Sequence, residues 1–160
     1  MGEDDGLVDA LTSSDGNDGP RDDLGGLNGI VGFHIRLAHG AVYRHFAETF
    51  ADLDLTQKQV SALWLVGDCP GVSQIELGGR LRMDRATTMT IVNRLQERAY
   101  LRRERSESDG RKQALFLTEA GAQALGKAKR CIAEHEAWLK SRFTAAETEK
   151  LVEMLARIHE

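Results

Sequence analysis

The stretch that decides the fold runs from Ser73 to Thr118 and reads SQIELGGRLRMDRATTMTIVNRLQERAYLRRERSESDGRKQALFLT. Its first part carries two helix-start signals. Ser73 and Glu76 stand three residues apart in a capping-box pattern, which predicts a short helix ending near residue 81. Asp84 is a good N-cap for a second helix over 85–98. The stretch therefore begins as two helices joined by a short turn.

The second part of this stretch changes from helical to alternating periodicity. Residues 101–106 and 113–118 alternate as strands do. Asp109-Gly110 between them favours a hairpin turn, because both positions tolerate a positive φ. Helix, turn, helix and hairpin in this order describe a helix-turn-helix with a wing. The second helix of such a unit can enter the major groove of duplex DNA.

Helical patterns continue on both sides of the stretch. Apolar residues at helical spacing predict a long helix over 27–52, and the pattern is helical again from Glu119 to Arg142. Capping boxes that begin at Thr56 and Thr144 predict two more helices. We therefore expect a mainly α protein with a small β-hairpin wing.

The charge of the chain is unevenly distributed along its 160 residues. The net charge is −4, yet residues 80–112 hold ten basic and five acidic residues and so carry +5, which leaves −9 for the rest. Phosphate binding depends on the local field, because salt screens charges beyond ~10 Å. The basic segment fits a DNA-binding surface, although a solvated, salt-bridged surface has the same composition.

Several other protein classes are not favoured. The chain has no apolar run near the ~20 residues needed to span a bilayer and no signal-peptide pattern. Cys69 and Cys131 form no CxxC pair, so we expect reduced thiols in the cytoplasm. We find no Gly-rich phosphate loop, HExxH or GxSxG motif, and expect neither an enzyme nor a cofactor. A module that binds a protein partner instead of DNA stays open as an alternative.

The acidic N-terminal extension, residues 1–24, is rich in Gly, Ser and Asn. Such a composition cannot bury enough apolar surface to fold alone. Leu7, Val8 and Leu11 can form one apolar stripe on a short helix that docks on the body or on a partner subunit.

From about residue 30 to the end, the chain resembles the MarR family of bacterial transcriptional regulators. The resemblance rests on four stretches, the most specific being the wing followed at this distance by the Leu-Thr-x-x-Gly pattern. They are Leu55-Thr56-x-x-Gln59 with Leu63 and Trp64, the helix Ser73–Leu81, the run from Asp84 to Leu95, and Asp109-Gly110-Arg111 followed by Leu117-Thr118-Glu119-Ala120-Gly121.

The resemblance implies a homodimer that binds a pseudo-palindromic operator in double-stranded DNA. Residues 25–160 then form one domain, in which 27–53 and 119–160 hold the dimerisation helices and 54–118 the winged helix-turn-helix. The implied base-reading side chains are Arg85, Thr87, Thr88, Thr90 and Arg94. Ser73 and Gln74 are implied phosphate contacts, and the implied wing contacts are Arg111 in the minor groove, Asp109 orienting the wing, and Lys112 beside them.

Two positions depart from the family pattern. Asn93 stands where the family often has Asp, and Ala99 stands where Gly usually ends the recognition helix. Alanine is strained at that position if the backbone is left-handed. The departure affects the angle at which the chain enters the hairpin.

The resemblance also implies a small-molecule pocket between the dimer helices and the DNA-reading lobe. The first helix carries polar residues among its apolar rows, and Trp64 lies on the second helix; the candidate ligand residues are His34, Arg36, His39, Tyr43 and Trp64. Arginine binds carboxylates in a bidentate manner and aromatic walls stack on rings. We therefore expect an aromatic carboxylate, or its thioester, that weakens DNA binding.

Two other kinds of regulation stay open. A redox sensor needs an exposed cysteine of low pKa, and Cys69 and Cys131 are the candidates. A metal sensor needs a cluster of ligands, but His34, His39 and His45 do not share one helix face and His135 is isolated in the sequence. We expect no bound metal.

Overall fold

The computed structural model describes residues 24–105 and 113–159. It divides the chain into two units, one that ends at Leu37 and one that begins at Ala38, and each is described by itself. The apolar stripe predicted at Leu7, Val8 and Leu11, and the hairpin tip with Asp109, Arg111 and Lys112, lie outside the described residues.

Six α-helices and one antiparallel hairpin make up the described chain. Helix α1 lies between two short 3-10 turns, at Gly25–Gly29 and Ala51–Leu53. The long helix predicted over 27–52 is therefore present but shorter at both ends. The elements are α1 Val31–Thr49, α2 Gln57–Asp68, α3 Gln74–Arg80, α4 Arg85–Glu97, β1 Leu101–Arg105, β2 Gln113–Leu117, α5 Glu119–Lys140 and α6 Ala145–His159.

The predicted helix starts are confirmed by their hydrogen bonds. The hydroxyl of Thr56 accepts from the Gln59 backbone N–H, and the Gln59 side chain accepts from the Thr56 N–H at 2.9 Å. The same reciprocal pair forms at Ser73 with Glu76 and at Thr144 with Glu147. These bonds satisfy N–H groups that have no partner within the helix. Each start is therefore fixed by residues within one turn.

The hydrophobic core of the second unit lies where α2 meets α4, α5 and the hairpin. Leu63, Val66, Leu77, Leu95 and Leu115 have no exposed surface. Strand β1 pairs with β2 in the register Leu101↔Leu117, and the Leu115 backbone bonds to the segment before α3. The wing is therefore attached to the helix-turn-helix by backbone hydrogen bonds. None of the described helices combines the length and apolar character needed to cross a membrane.

The end of α4 bears out the expected strain at Ala99. Its φ is +56°, in the left-handed region. The Tyr100 N–H donates to the Leu95 carbonyl and the Ala99 N–H to the Gln96 carbonyl, both at 2.8 Å. This bond pair is the Schellman ending, in which glycine is the usual residue. The sharp exit from α4 into β1 therefore forms although alanine occupies the position.

Candidate nucleic-acid interface and cavity

Helix α4 buries one face and exposes another along its whole length. The buried side chains are Thr88, Ile91, Val92 and Leu95, which stand at helical spacing. The exposed side chains are Arg85, Ala86, Met89, Thr90, Asn93, Arg94 and Glu97, and we call the first six of these the α4 stripe. The stripe combines two cations, one hydroxyl and one amide. These groups can donate to phosphates and base edges.

Thr88, which the resemblance placed among the base-reading side chains, does not lie on the exposed face of α4. Thr88 is only 2% exposed, and its hydroxyl donates to the Asp84 carbonyl at 2.8 Å, so it does not share the outer face. Met89, the next residue along the helix, is 49% exposed. The core face follows the steps from residue 88 to 91, 92 and 95. This helical spacing is present in the sequence, but its first position is a polar threonine, which residue type alone does not assign to the core.

Asp84 anchors the start of α4 through Thr87. The carboxylate accepts from the Thr87 N–H at 2.8 Å and from the Thr87 hydroxyl at 2.6 Å. These hydrogen bonds hold the pKa of Asp84 below its usual value. The Thr90 hydroxyl donates to the Ala86 carbonyl at 3.0 Å. Both hydroxyls thus have partners in the helix, while Thr90 stays exposed.

The two helices of the helix-turn-helix approach closely at Gly78. A Cβ added to Gly78 would lie 2.7 Å from the Thr88 Oγ1 atom and 3.2 Å from the Met83 carbonyl oxygen. At Gly79, the next residue, a Cβ would meet no atom within 4 Å. Glycine at position 78 therefore sets the distance between α3 and α4.

Arg103 on β1 links the wing to both helices. Its Nη2 atom donates to Gln74 Oε1 at 3.0 Å and to Asn93 Oδ1 at 2.8 Å. The neutral Asn93 thus accepts from an arginine at the position where the family often has Asp. Arg103 on the wing contacts residues 29 and 10 positions away on two different helices, and no short stretch of the sequence indicates this link.

The predicted phosphate contacts, Ser73 and Gln74, lie at the start of α3. The Ser73 hydroxyl donates to the Glu76 carboxylate at 2.7 Å, and the Gln74 side-chain oxygen accepts from Arg103. A contact of either residue with DNA stays a prediction. On the wing, Arg102 lies over the Phe116 ring and pairs with Glu104.

A cavity of about 620 Å³ lies beside α2 and α5. Its wall is mostly apolar and aromatic, and it also includes two carboxylates. The lining residues are Val42, Phe46, Gln57, Val60, Ser61, Trp64, Leu65, Asp68, Leu81, Ile132, His135, Glu136 and Leu139. Lys129 lies next to this wall, with its Nζ atom 4.7 Å from the Trp64 ring centre and 3.7 Å from Asp68 Oδ1.

A pair of histidines joins α1 to α5 at the edge of the cavity. The Nδ1 atoms of His45 and His135 are 2.8 Å apart, so one ring donates and the other accepts. The His45 ring stacks on Trp138 with ring centres 3.9 Å apart. Burial, and then the neighbouring His45, lower the pKa of His135 below its usual value. His135 is therefore not isolated, because the fold supplies a partner that is 90 residues away.

Comparison with known proteins decides the family. A profile of the MarR family matches residues 53–112. The DNA-bound structure of the transcriptional repressor CouR is 31% identical, with a TM-score of 0.81 over 86% of this chain and 97% of that chain. The chain belongs to the MarR family. It is therefore a DNA-binding transcriptional regulator with a winged helix-turn-helix.

Two further relatives extend the likeness. A transcriptional regulatory protein for the hcr operon of Thauera aromatica is 29% identical over 84% of this chain and 82% of its own length. The PcaV regulator of Streptomyces coelicolor, solved with its natural ligand, is 25% identical, with a TM-score of 0.75 over 83% of this chain and 94% of that chain. CouR has also been solved with p-coumaroyl-CoA. The family and these relatives are transcriptional regulators rather than enzymes.

The five ligand residues predicted from the MarR resemblance lie in different surroundings. Trp64 lines the cavity of about 620 Å³. Tyr43 stacks with His39 and lines a smaller cavity of about 190 Å³. In the unit that ends at Leu37, the His34 ring bonds to the Asn28 carbonyl at 2.8 Å and Arg36 lies 5.1 Å from the Phe33 ring centre. Their role in ligand binding stays a prediction.

The residues proposed for redox or metal regulation can also be located. Cys69 and Cys131 are both half-buried free thiols, and Arg80 Nη1 lies 3.2 Å from the Cys69 sulfur. In the ranges 24–105 and 113–159, no three His, Cys, Asp or Glu side chains are grouped so that they could hold a metal ion.

Proposed function

We propose that this MarR-family protein is a repressor that binds a pseudo-palindromic operator as a homodimer and is released by an aromatic acyl thioester. The observation that carries the proposal is the α4 stripe, on which Arg85, Thr90 and Arg94 stand exposed on a helix whose opposite face is buried. A homodimer would place two such helices on successive turns of the major groove.

The DNA surface extends from α4 onto its neighbours. Arg85 and Arg94 supply charge at the two ends of the stripe, and Thr90 lies between them. Thr87 contributes by holding Asp84, and Ser73 and Gln74 lie at the start of α3, where a backbone phosphate would pass. We expect the wing residues, including Arg111, to follow the minor groove beside each half-site.

Apolar surface on the terminal helices supports the homodimer. In α6, three apolar side chains at helical spacing are exposed, namely Val152, Leu155 and Ile158. In α1, Val31 and Ile35 are exposed one turn apart. Exposed apolar side chains that line one face of a helix are typical of protein interfaces. A second copy that covers these faces would remove them from water.

The cavity of about 620 Å³ fits an aromatic ligand in size and lining. Ligand sites are commonly 300–1,000 Å³ and mainly apolar. Among the described residues that line it are the carboxylates Asp68 and Glu136 but no arginine or lysine. Lys129 pairs with Asp68 and Lys140 pairs with Glu136, so these two lysines are already engaged by carboxylates. A free carboxylate would compete for them, whereas the carbonyl of a thioester is neutral and needs no cation. We therefore place the aromatic acyl group in this cavity, as a thioester.

Release follows if the ligand favours the dimer conformation that does not fit DNA. The ligand can shift that equilibrium only by its difference in affinity between the two conformations. Coupling energies of about 1–3 kcal/mol are typical and change affinity about 5- to 150-fold. The cavity wall includes residues of α2, which belongs to the predicted winged helix-turn-helix, and of α5, which belongs to the predicted dimerisation helices.

The proposal is tested with the full chain and three small-molecule probes. Duplexes are selected from a random-sequence pool, and binding of the best one is followed by fluorescence anisotropy with p-coumaroyl-CoA, p-coumarate or free coenzyme A added. We expect the thioester to weaken binding at least about fivefold, and Trp64→Ala to respond less than Trp64→Phe. Selection of no duplex would refute DNA binding, and equal affinity with and without thioester would refute this effector.

A further inference from the structure

Met89 is the apolar member of an otherwise polar or small α4 stripe. Its side chain is 49% exposed in the middle of α4. Arg85 stands one turn before it and Asn93 one turn after it, each about 6 Å away along the helix axis. An exposed methionine enclosed by DNA-binding groups is not needed by the core, which Thr88 and Val92 already fill from the opposite face.

The major groove offers one apolar group to such a side chain. Thymine carries a C5-methyl group there, whereas the other base edges present hydrogen-bond donors and acceptors. Methionine is unbranched and polarisable, so it adapts to the shape of a methyl group that it covers. The polar members of the stripe, Arg85, Thr90 and Asn93, can serve the donors and acceptors of the neighbouring bases.

We propose that Met89 is a specificity-determining residue that packs on the C5-methyl group of one thymine in each half-site of the operator. This inference rests on the proposed DNA binding and adds the identity of a base. It predicts that operator affinity depends on a methyl group and not only on hydrogen bonds and charge. Replacing that thymine by deoxyuridine removes the methyl group and leaves every Watson–Crick bond in place.

Ile75 on α3 is the natural comparison. It is 79% exposed, and it lines a concavity of about 480 Å³ between α3 and the start of α4 together with Arg85. Because Ile75 belongs to α3 and not to the stripe, truncating it removes apolar surface from the same lobe without touching the proposed thymine contact. Ile75→Ala is therefore the matched control.

The experiment is a double-mutant cycle between protein and DNA. A duplex selected from a random pool by the wild-type full chain is remade with deoxyuridine at each thymine in turn, and each version is titrated against wild type, Met89→Gln, Met89→Leu and Ile75→Ala. At one position, repeated symmetrically in the two half-sites, we expect wild type to bind the deoxyuridine duplex about fourfold more weakly per half-site than the thymine duplex. An affinity change of about fourfold corresponds to the free energy of burying one methyl group. Met89→Gln should lose this discrimination, while Met89→Leu and Ile75→Ala should keep it.

Charge provides a second readout. Met89→Gln removes no charge, so the salt dependence of binding should be unchanged. Arg85→Ala should reduce the slope of log affinity against log salt concentration by about one, as expected for the loss of a single phosphate contact. The inference is overturned if deoxyuridine is tolerated at every position, or if Met89→Gln discriminates as wild type does. Failure to select any duplex overturns the proposed DNA binding and the inference with it, and so is distinguishable from failure of the thymine contact alone.

Discussion

Gly121, in the first turn of α5, lies directly against the backbone carbonyl of Tyr100, so closely that a Cβ at this position would overlap the carbonyl oxygen. The neighbouring Thr118 hydroxyl donates to the Ala99 carbonyl at 2.5 Å. The Leu117–Gly121 stretch therefore fastens α5 to the residues that connect α4 with the wing.

This contact predicts opposite effects for two glycine substitutions in one helix. Gly121→Ala must displace backbone, and we expect the free energy of unfolding to fall by about 2–3 kcal/mol. Gly126→Ala should raise it by up to about 1 kcal/mol, because no atom lies within 4 Å of the added Cβ and alanine favours a helix. Urea titrations at one protein concentration measure both values. Equal effects of the two changes would contradict the close approach.

The close approach of α3 and α4 at Gly78 predicts that a substitution between these two helices weakens DNA binding. Gly78→Ala forces Thr88 away, which should lower stability by about 1–3 kcal/mol and weaken binding to a selected duplex. Gly79→Ala is the control, since its Cβ meets open space. Adding Thr88→Ala to Gly78→Ala makes room and should restore part of both losses. If Gly79→Ala lowers stability and DNA affinity as much as Gly78→Ala does, the losses come from adding any side chain to this part of α3. They would then not come from the spacing between α3 and α4.

The left-handed Ala99 predicts a stabilising substitution. A non-glycine residue costs roughly 1–2 kcal/mol in this conformation, and part of the gain is lost through the greater freedom of glycine in the unfolded chain. Ala99→Gly should therefore raise the free energy of unfolding by about 1 kcal/mol. Ala133→Gly, at an exposed position within α5, should lower it by about 1 kcal/mol. A loss of stability in Ala99→Gly would argue against the Schellman ending.

The histidine pair predicts a loss of stability in mild acid. His135 is 5% exposed and its pKa in the folded chain is lowered, so below about pH 6.5 the unfolded chain binds a proton that the folded chain does not. The stability that neutral His135 contributes is fully present above about pH 6.5. It is lost as the pH falls towards the lowered pKa of His135 in the folded chain. Urea midpoints between about pH 5 and 8 should fall with acid in wild type.

The matched variant for this prediction is His135→Gln. It keeps a polar group next to His45 and removes the titrating ring of His135, so the urea midpoint should depend less steeply on pH. A pH dependence identical to that of wild type would show that other groups cause it.

The sequence by itself determined the elements whose causes are local. Thr56, Ser73, Asp84 and Thr144 each bond within one turn, so the starts of four helices could be predicted from short patterns. The alternating residues on either side of Asp109-Gly110 predicted the wing and its place after α4, and the pairing of β1 with β2 confirms the two strands. These features need no knowledge of distant residues, because a cap is satisfied by the backbone beside it.

Only the tertiary structure decided which side chains meet across the fold. Thr88 is buried and Met89 exposed because α3 and the core lie on one side of α4, which residue type alone did not indicate. Arg103 reaches Gln74 and Asn93, and His45 meets His135, over 10 to 90 residues of chain. Such contacts depend on how the helices pack, and packing is the sum of many distant contacts that no short stretch of sequence contains.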